Sequence, residues 1–577
     1  MNKSKIFDLI KINKLEIKKN KKNLQAIANL SNLFLQLNKF KTSIFYLDEL
    51  LKLDLKFYIA HYNKGNILLY LNKYKDAIEC YENTLNINPQ HINSYCNHGV
   101  ALTKLKKFKE AIISFDKALK LNSQHVDSYC NKGTVLIFLN KFEEAIMCLD
   151  KAIELDPQHV DSYCNRGVAF NNLDNIDEAI KNFKKAIDLN PYHVGSYSNL
   201  GSALTRLNKL NESLTILNNA IKIDPTHVGS YCNRGNVYSR LFKFKEANRD
   251  YDKCIEIDKN YADAHWNKSI VNLLTKNYQK GFSLYEWRWK TKSLDSPALR
   301  NFSEKIWLGN FSIKNKKIFI HAEQGLGDTI QFCRYLELIK NEGAYVILEY
   351  PKPLKKLLSS LSCVDEFVEN GNELNNFDCH CPLLSLPLAF KTNLETIPKK
   401  IPYLYVNNER INKWKNFLGN QDFKIGISWQ SKGNFNSIEK SFPLIFFKNI
   451  SKIPNIRLVS LQKNFGIEQL SSLPSDCKIQ TLPADFDDGD NAFLDSAAIL
   501  KCVDLFITCD SALGHLAGSL GTKTWLLLKH YPDWRWHLDD DFSPWYPNHR
   551  IFRQSIPGDW KGVFEQVEFF LKRVLAK

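Results

Sequence analysis

A block of 34 residues recurs without a slip through the first half of this chain of 577 residues. HINSYCNHGVALTKLKKFKEAIISFDKALKLNSQ, from His91, is followed by HVDSYCNKGTVLIFLNKFEEAIMCLDKAIELDPQ from His125, and the frame returns at His159, His193 and His227. Weaker copies begin at Asn23, Phe57 and Tyr261 and bring the total to about eight. Each block carries a small residue in its first half (Gly99, Gly133, Gly167, Gly201, Gly235) and most carry another in the second (Ala111, Ala145, Ala179, Ala247). Pro89, Pro157, Pro191 and Pro225 stand where a second helix must end. A fixed period with small residues at fixed places describes helix pairs that bury their apolar faces only by stacking on the next copy. The same period disposes of two chemical temptations. Cys96, Cys130, Cys164 and Cys232 share one position, and His91, His125, His159, His193 and His227 another. Equivalent atoms in stacked helices lie about 10 Å apart, whereas a zinc ion draws its ligands to about 2.0–2.3 Å.

Period, small residues and terminal proline together resemble the tetratricopeptide repeat. The resemblance implies a right-handed superhelix of helix pairs over residues 23–294, with a concave groove lined by the first helix of each pair and a protein or peptide as its partner. Asn63, Asn97, Asn131, Asn165, Asn199, Asn233 and Asn267 fall two residues before the small position. An amide offers donors and an acceptor, so this ladder is a candidate clamp for an extended peptide backbone. Asn is also common there in such repeats whatever they bind. The layout resembles the eukaryotic O-linked N-acetylglucosamine transferase, in which an asparagine ladder precedes a catalytic half. No motif in this half points to metal, nucleic acid or membrane.

The net charge of +16 suggests an anionic partner, yet part of it is local: residues 1–22 hold eight Lys against Asp8 and Glu16, a basic segment expected to be a solvated helix or fray. No apolar run approaches the roughly 18 residues that span a bilayer, and no signal-peptide core is present. Fourteen cysteines show no CxxC framework, so reduced thiols and a cytoplasmic location are expected. Cys379, His380 and Cys381 alternate along a strand and point to opposite faces, which argues against a metal. The run 485–490 lacks the calcium-loop register, the run 539–541 reads as solvated charge, and no Walker A sequence occurs.

After a join at residues 295–315 the chain changes to short apolar strands alternating with helices. KKIFIHAE, AYVILEY and FDCHC read as strands of a first lobe, 316–410; KIGISW, IRLVSLQ, VDLFIT and TWLLL read as strands of a second, 420–577. Strand and helix in alternation argue for parallel, doubly wound sheets, which bind ligands outside the carboxyl ends of their strands. Two strand-to-helix turns carry candidate chemistry. CDSALGHLAGSLG places Asp510 and Ser511 before a helix bearing Gly514 and His515, and the unpaired N–H groups of a helix start attract phosphate. EQGLGDT offers Gln324, Gly325 and Gly327, where an acceptor could approach the backbone, and then Asp328, a candidate general base. Lys432 and Lys440, on the polar loop QSKGNFNSIEKS, are candidate cations for a diphosphate. Each of these has a plainer alternative. Ser511 and Asp328 can be helix caps, and His515 a satisfied core histidine. Trp534, Trp536, Trp545, Tyr546 and Trp560 can pack a core as readily as stack on a nucleobase.

HAEQGLGDTIQFCRYL, GISW and CDSALGHLAGSLG, in this order, resemble the glycosyltransferases of family 9, related to the ADP-heptose lipopolysaccharide heptosyltransferases. They are similar in particular to bacterial proteins that fuse tetratricopeptide repeats to such a module, including YEWRW at the join and PDWRW and SPWYP near the end. The resemblance implies the GT-B fold, two Rossmann-like lobes with the nucleotide sugar on the second, and a metal-independent, inverting enzyme with no cofactor besides its donor substrate. It implies a base at Asp328 and diphosphate contacts at Asp510, Ser511, Gly514 and His515. The chain departs from the pattern at Trp429-Gln430-Ser431, where relatives have Trp-x-Gly, at Lys440 in place of Arg, and at Ser511 in place of Thr. The expected whole is a tetratricopeptide superhelix followed by a GT-B module that transfers a sugar to a protein or peptide recruited by the repeats. Two other readings stay open: a non-catalytic scaffold with a degenerate GT-B half, and a transferase acting on a glycan or lipid-linked acceptor.

Overall fold

The computed structural model describes residues 3–291, 300, 302–372, 374, 376–431 and 439–576. The chain divides into two compact units, Met1–Arg234 and Gly235–Lys577.

In the first unit, helices of 13 residues alternate with helices of 14, as in Ile92–Lys104 followed by Phe108–Leu121 and Val126–Phe138 followed by Phe142–Leu155. Close packing within each pair explains the glycine column: a Cβ on Gly99 would lie 2.6 Å from the Phe115 ring, so nothing larger than hydrogen fits. The turn inside each pair needs one left-handed residue. Asn38, Asn72, Lys106, Asn140, Asp174 and Asn208 supply it at φ 56–64°, mostly with the non-glycine side chains that tolerate this region best. Asn175 opens its helix by accepting from the Glu178 N–H at 3.4 Å. The basic N-terminal segment is more than solvated: its helix, Lys3–Lys19, buries Ile6 and Ile10 against Leu30, Leu33 and Phe34.

The helix Val228–Arg240 carries the chain into the second unit. That unit begins with repeat helices Phe244–Ile257, Ala262–Leu274 and Tyr278–Tyr285 and a tight 3-10 turn, Glu286–Lys290, formed by the join motif EWRWK. Two parallel sheets come next. The first has strands β1 Lys305–Ile306, β2 Lys317–His321, β3 Tyr345–Tyr350, β4 Glu366–Glu369 and β5 Cys379–Pro382, in the order β1-β5-β2-β3-β4. The second has β6 Phe423–Ser428, β7 Ile456–Ser460, β8 Ile479–Gln480, β9 Leu505–Cys509, β10 Thr524–Leu528 and β11 His549–Arg553, in the order β11-β10-β9-β6-β7-β8. All pairings within both sheets are parallel. The strands are apolar runs because both faces are covered: Ile425, Ile427, Leu505 and Ile507 face Val563, Phe564 and Val567 of the closing helix Trp560–Leu575.

Two expectations are redrawn here. Strand β1 lies inside the stretch read as a join, and it pairs with β5 from Lys305 opposite Cys379. The final repeat helices belong with the sheets, since Leu273, Leu274, Tyr278, Phe282 and Tyr285 share one buried cluster with Ile318, Phe332, Trp534 and Trp545.

Candidate functional site

A cleft of about 820 Å³ opens in the second unit where both sheets end. Gly325, Leu326 and Gly327 follow β2, and Pro353 follows β3. Opposite them stand Gln430 and Ser431 after β6, Gln462 to Phe465 after β7, and Ser511 to Leu513 after β9. The carboxyl ends of parallel strands are where such sheets present ligand sites, and here five of them converge.

Two short helices form the floor. Leu326–Phe332 follows the turn after β2, and Ala512–Leu520 follows the turn after β9. They cross so closely that a Cβ on Gly327 would come within 2.9 Å of the His515 ring and 3.4 Å of the Ala512 Cα. The two motifs that stand almost two hundred residues apart in sequence are thus in direct contact.

Ser511 occupies the N-cap position of Ala512–Leu520 in extended conformation, but its hydroxyl makes no capping bond among the described residues. It lies 3.2 Å from the Thr508 hydroxyl instead. The helix therefore begins at the cleft wall with Ser511, Ala512 and Leu513, which favours an anion there. Asp510, behind it, is buried and paired with the Lys440 ammonium at 2.7 Å. Burial opposes the Asp510 charge, but Lys440 overrides it, with further help from His515 and Arg535, and holds the carboxyl down to about 2. Lys440 is raised in turn, its own burial outweighed by Asp510 and Asp533. Its charge is committed to Asp510, and Lys432 lies outside the described residues.

His515 is not a cation at the cleft. It is buried, its Nδ1 is 3.0 Å from the Tyr546 hydroxyl and its ring stacks on Trp536. Burial first, then the neighbouring Arg535, depress it to about 3, so the ring is neutral at physiological pH. Of the readings open for this histidine, the structure favours the packed one, as a spacer between the two floor helices. Gly514 is buried too, its carbonyl 2.9 Å from the His549 Nε2.

Asp328 sits in the first turn of its helix. One oxygen accepts from the Gly325 N–H at 2.9 Å; the other accepts from the Arg535 guanidinium. Burial pushes its carboxyl above the ordinary value, while Arg535 and the Gly325 N–H pull against that rise. The capping and charged roles coexist. Gln324 is exposed at φ 59° and sets the turn into Gly325. The five aromatic residues near the C-terminus are core: Trp536, Trp545 and Tyr546 are almost wholly enclosed with Trp534 buried beside them, and Trp560 is buried in a separate cluster against Phe442. Five further residues of the site are not among the candidates read from the sequence: Gln430, Gln462, Lys463 and Phe465, and also Arg535. The first four stand at or just after the ends of apolar strand runs, a position that marks them as candidates in a parallel sheet; nothing local in PDWRW marks Arg535 as reaching Asp328.

In the first unit the asparagine ladder stitches successive repeats. Asn97 donates to Asn66 Oδ1 at 2.9 Å, Asn165 to Thr134 Oγ1 at 3.0 Å, and Asn233 to the Ser198 carbonyl at 3.1 Å. Asn131 and Asn199 donate to the sulfurs of Cys96 and Cys164. Their amide N–H groups thus bond the previous repeat. Asn63 and, in the second unit, Asn267 are half-buried at the equivalent places.

The array is of the tetratricopeptide class. Residues 58–91, 92–125, 126–159, 160–193 and 228–261 match the tetratricopeptide repeat and residues 201–241 the TPR repeat. Among characterised proteins the chain is similar to Protein FlbA of Caulobacter vibrioides (strain ATCC 19089 / CIP 103742 / CB 15), 24% identical over 328 residues, which cover 52% of this chain and 53% of that protein. The chain thus spans about half the length of the curated relative it matches. Solved structures similar to the repeats include a tetratricopeptide repeat protein from Parabacteroides merdae ATCC 43184, 17% identical, covering 43% of this chain and 98% of that one with a TM-score of 0.39. Another is YrrB, a TPR protein with an unusual peptide-binding site, 23% identical, covering 32% and 96% with a TM-score of 0.26. Among the described residues no helix is long and apolar enough to cross a membrane.

Proposed function

We propose that the chain is a glycosyltransferase whose second unit is a GT-B module and whose repeats recruit a protein or peptide acceptor. The observation that carries this reading is the cleft itself, lined at once by the glycine turn after β2 and by the start of the helix Ala512–Leu520. Its volume suits a nucleotide-sized ligand. The diphosphate of a nucleotide sugar rests on the helix start beside Ser511, and the acceptor approaches over Gly325 and Gly327. The acceptor oxygen bonds to the anomeric carbon as the bond from that carbon to the phosphate oxygen breaks, its electron pair leaving with the nucleoside diphosphate. The hydroxyl proton passes to Asp328, whose half-buried, raised carboxyl suits a base.

The test is thermal unfolding of the full chain with UDP-N-acetylglucosamine, ADP-glucose and GDP-mannose, with release of nucleoside diphosphate followed in parallel. A donor that binds only the folded state stabilises it by about 2.7 kcal/mol at 100 times its Kd. No shift and no release with any of the three would turn the reading toward a binding scaffold. One observation favours that second reading: Lys440 and Arg535 are already engaged by Asp510, Asp328 and Asp533.

A further inference from the structure

We propose that Arg535 is a positioning residue for the reaction: it reaches from the turn after β10 to Asp328 in the first turn of the floor helix and holds that carboxylate ionised and aimed. The inference rests on the transferase reading and on Asp328 as its base. Arg535 is buried, and each of its three nitrogens donates a hydrogen bond. Nε gives to Gln331 Oε1 at 2.7 Å, one terminal nitrogen to Asp533 at 2.9 Å, and the other to Asp328 Oδ1. Its guanidinium lies over Trp534, 4.7 Å from the ring centroid, and 5.6 Å from that of Phe332. Next to it in sequence, Trp536 stacks on His515, which packs against Gly327. The PDWRW motif therefore fixes the position of the β2 turn by packing and the charge of Asp328 by pairing. Asp328 is also faced by Asp533, by Lys440 and by the buried Tyr285 hydroxyl of the last repeat helix. Of these charges Arg535 makes the direct bond. A planar fork bonded to three acceptors at once cannot be reproduced by an ammonium.

A carboxylate base works when deprotonated, so kcat/KM rises with pH through the titration of Asp328. Arg535 opposes the rise that burial imposes on that group. Removing it must move the acid limb to higher pH. The experiment compares full-length wild type, Arg535→Lys, Arg535→Met, Asp328→Asn and the Asp328→Asn/Arg535→Met double variant, reading nucleoside diphosphate release from the three donors above. In Arg535→Met, release falls about 100-fold with donor KM little changed, and the acid limb moves up by about one pH unit or more. Arg535→Lys restores the limb and only part of the rate. The double variant is no slower than Asp328→Asn alone, since the residues act as a unit. If Arg535→Met does not fold, the lysine and double variants decide, because neither leaves Asp328 as a lone half-buried charge. An unmoved limb, or losses that multiply in the double variant, overturns the positioning role alone. Absence of both a stability shift and release with the wild type, for all three donors, overturns the transferase reading and this inference with it.

Discussion

At Ser511 a capping role and the proposed ligand-binding role lead to different outcomes. A serine whose hydroxyl caps a helix costs about 1 kcal/mol when replaced by alanine, but this hydroxyl turns to Thr508 at 3.2 Å instead. Ser511→Ala is therefore expected to lower stability by less than about 0.5 kcal/mol, which is ordinary for a site without a cap, while weakening nucleotide-sugar binding about tenfold, the loss of one hydrogen bond to a charged group. Urea unfolding and calorimetric titration measure the two; a stability loss of about 1 kcal/mol with unchanged affinity means the hydroxyl caps. Gly327 is tested by size. A valine there drives two methyl groups into His515, already 2.9 Å from an added Cβ, and should cost about 1–3 kcal/mol. The residues of the site were legible to different depths. Ser511, Gly325 and Gly327 were readable because a strand-to-helix turn is a local pattern. The neutrality of His515 and the engagement of Lys440 were not, because burial and pairing with Tyr546 and Asp510 are created only when distant segments meet.

Among elements, the repeats show what a period reveals and what it conceals. Thirty-four-residue spacing specified the helix pairs, and Gly99 and Ala111 told which faces touch. It left unread the left-handed turn at Asn140 and the role of the histidine column. Each of these histidines binds the serine three residues on, as His159 binds Ser162 at 2.8 Å. Two of them also reach an acid of the preceding repeat: His159 to Asp127 at 3.3 Å and His193 to Asp161 at 3.2 Å. At His125 the partner is the uncharged Asn93. The Asp127 bond, followed by one to Cys130, raises His159 to about 10, and the His159 bond lowers Asp127. A raised histidine contributes stability fully present below its unfolded value near 6.5 and lost as pH climbs through about 10. The Asp127 contribution is present above its unfolded value near 3.9 and lost on acidification. Asp127 is largely exposed, so the pair is worth about 1 kcal/mol or less. The expected outcome is that His159→Gln melts below wild type from pH 5 to 8 and that the difference closes above pH 10, checked by circular dichroism melts across that range. A difference that persists unchanged to pH 11 would count against the ion pair.

For the molecule as a whole, the question is where it can be cut. The repeat period runs through residue 294, and reading it alone puts a domain boundary there. Packing puts the boundary between Arg234 and Gly235, because the last helices gain their burial from the sheets. Leu273, Leu274, Tyr278, Phe282 and Tyr285 are all at most 3% exposed within the cluster that includes Trp534 and Trp545. At about 1.5–3 kcal/mol for each buried apolar side chain, these five contribute on the order of 10 kcal/mol, comparable with the entire stability of a typical domain. Arg288 adds a second reason. It is enclosed, and it pairs with Glu323 through Nε at 2.8 Å and a terminal nitrogen at 2.7 Å. Deleting it leaves Glu323 buried without its partner, at a cost of about 3–5 kcal/mol, two residues before Gly325 of the cleft. Further bonds run the same way, from Tyr278 to His537 at 2.8 Å and from Lys276 to Asp540 at 2.8 Å. A chain of residues 228–577, which keeps the boundary helix Val228–Arg240 whole, is therefore expected to be a folded, monodisperse protein that unfolds cooperatively and keeps whatever nucleotide-sugar affinity the full chain has. One of residues 295–577 is expected to aggregate or to bind none. Size-exclusion chromatography, thermal melting and donor titration on the two fragments compare them directly. A well-folded, donor-binding 295–577 fragment would show that the final repeats are dispensable to the sheets, and that Arg288 and Tyr278 do not support the floor of the cleft.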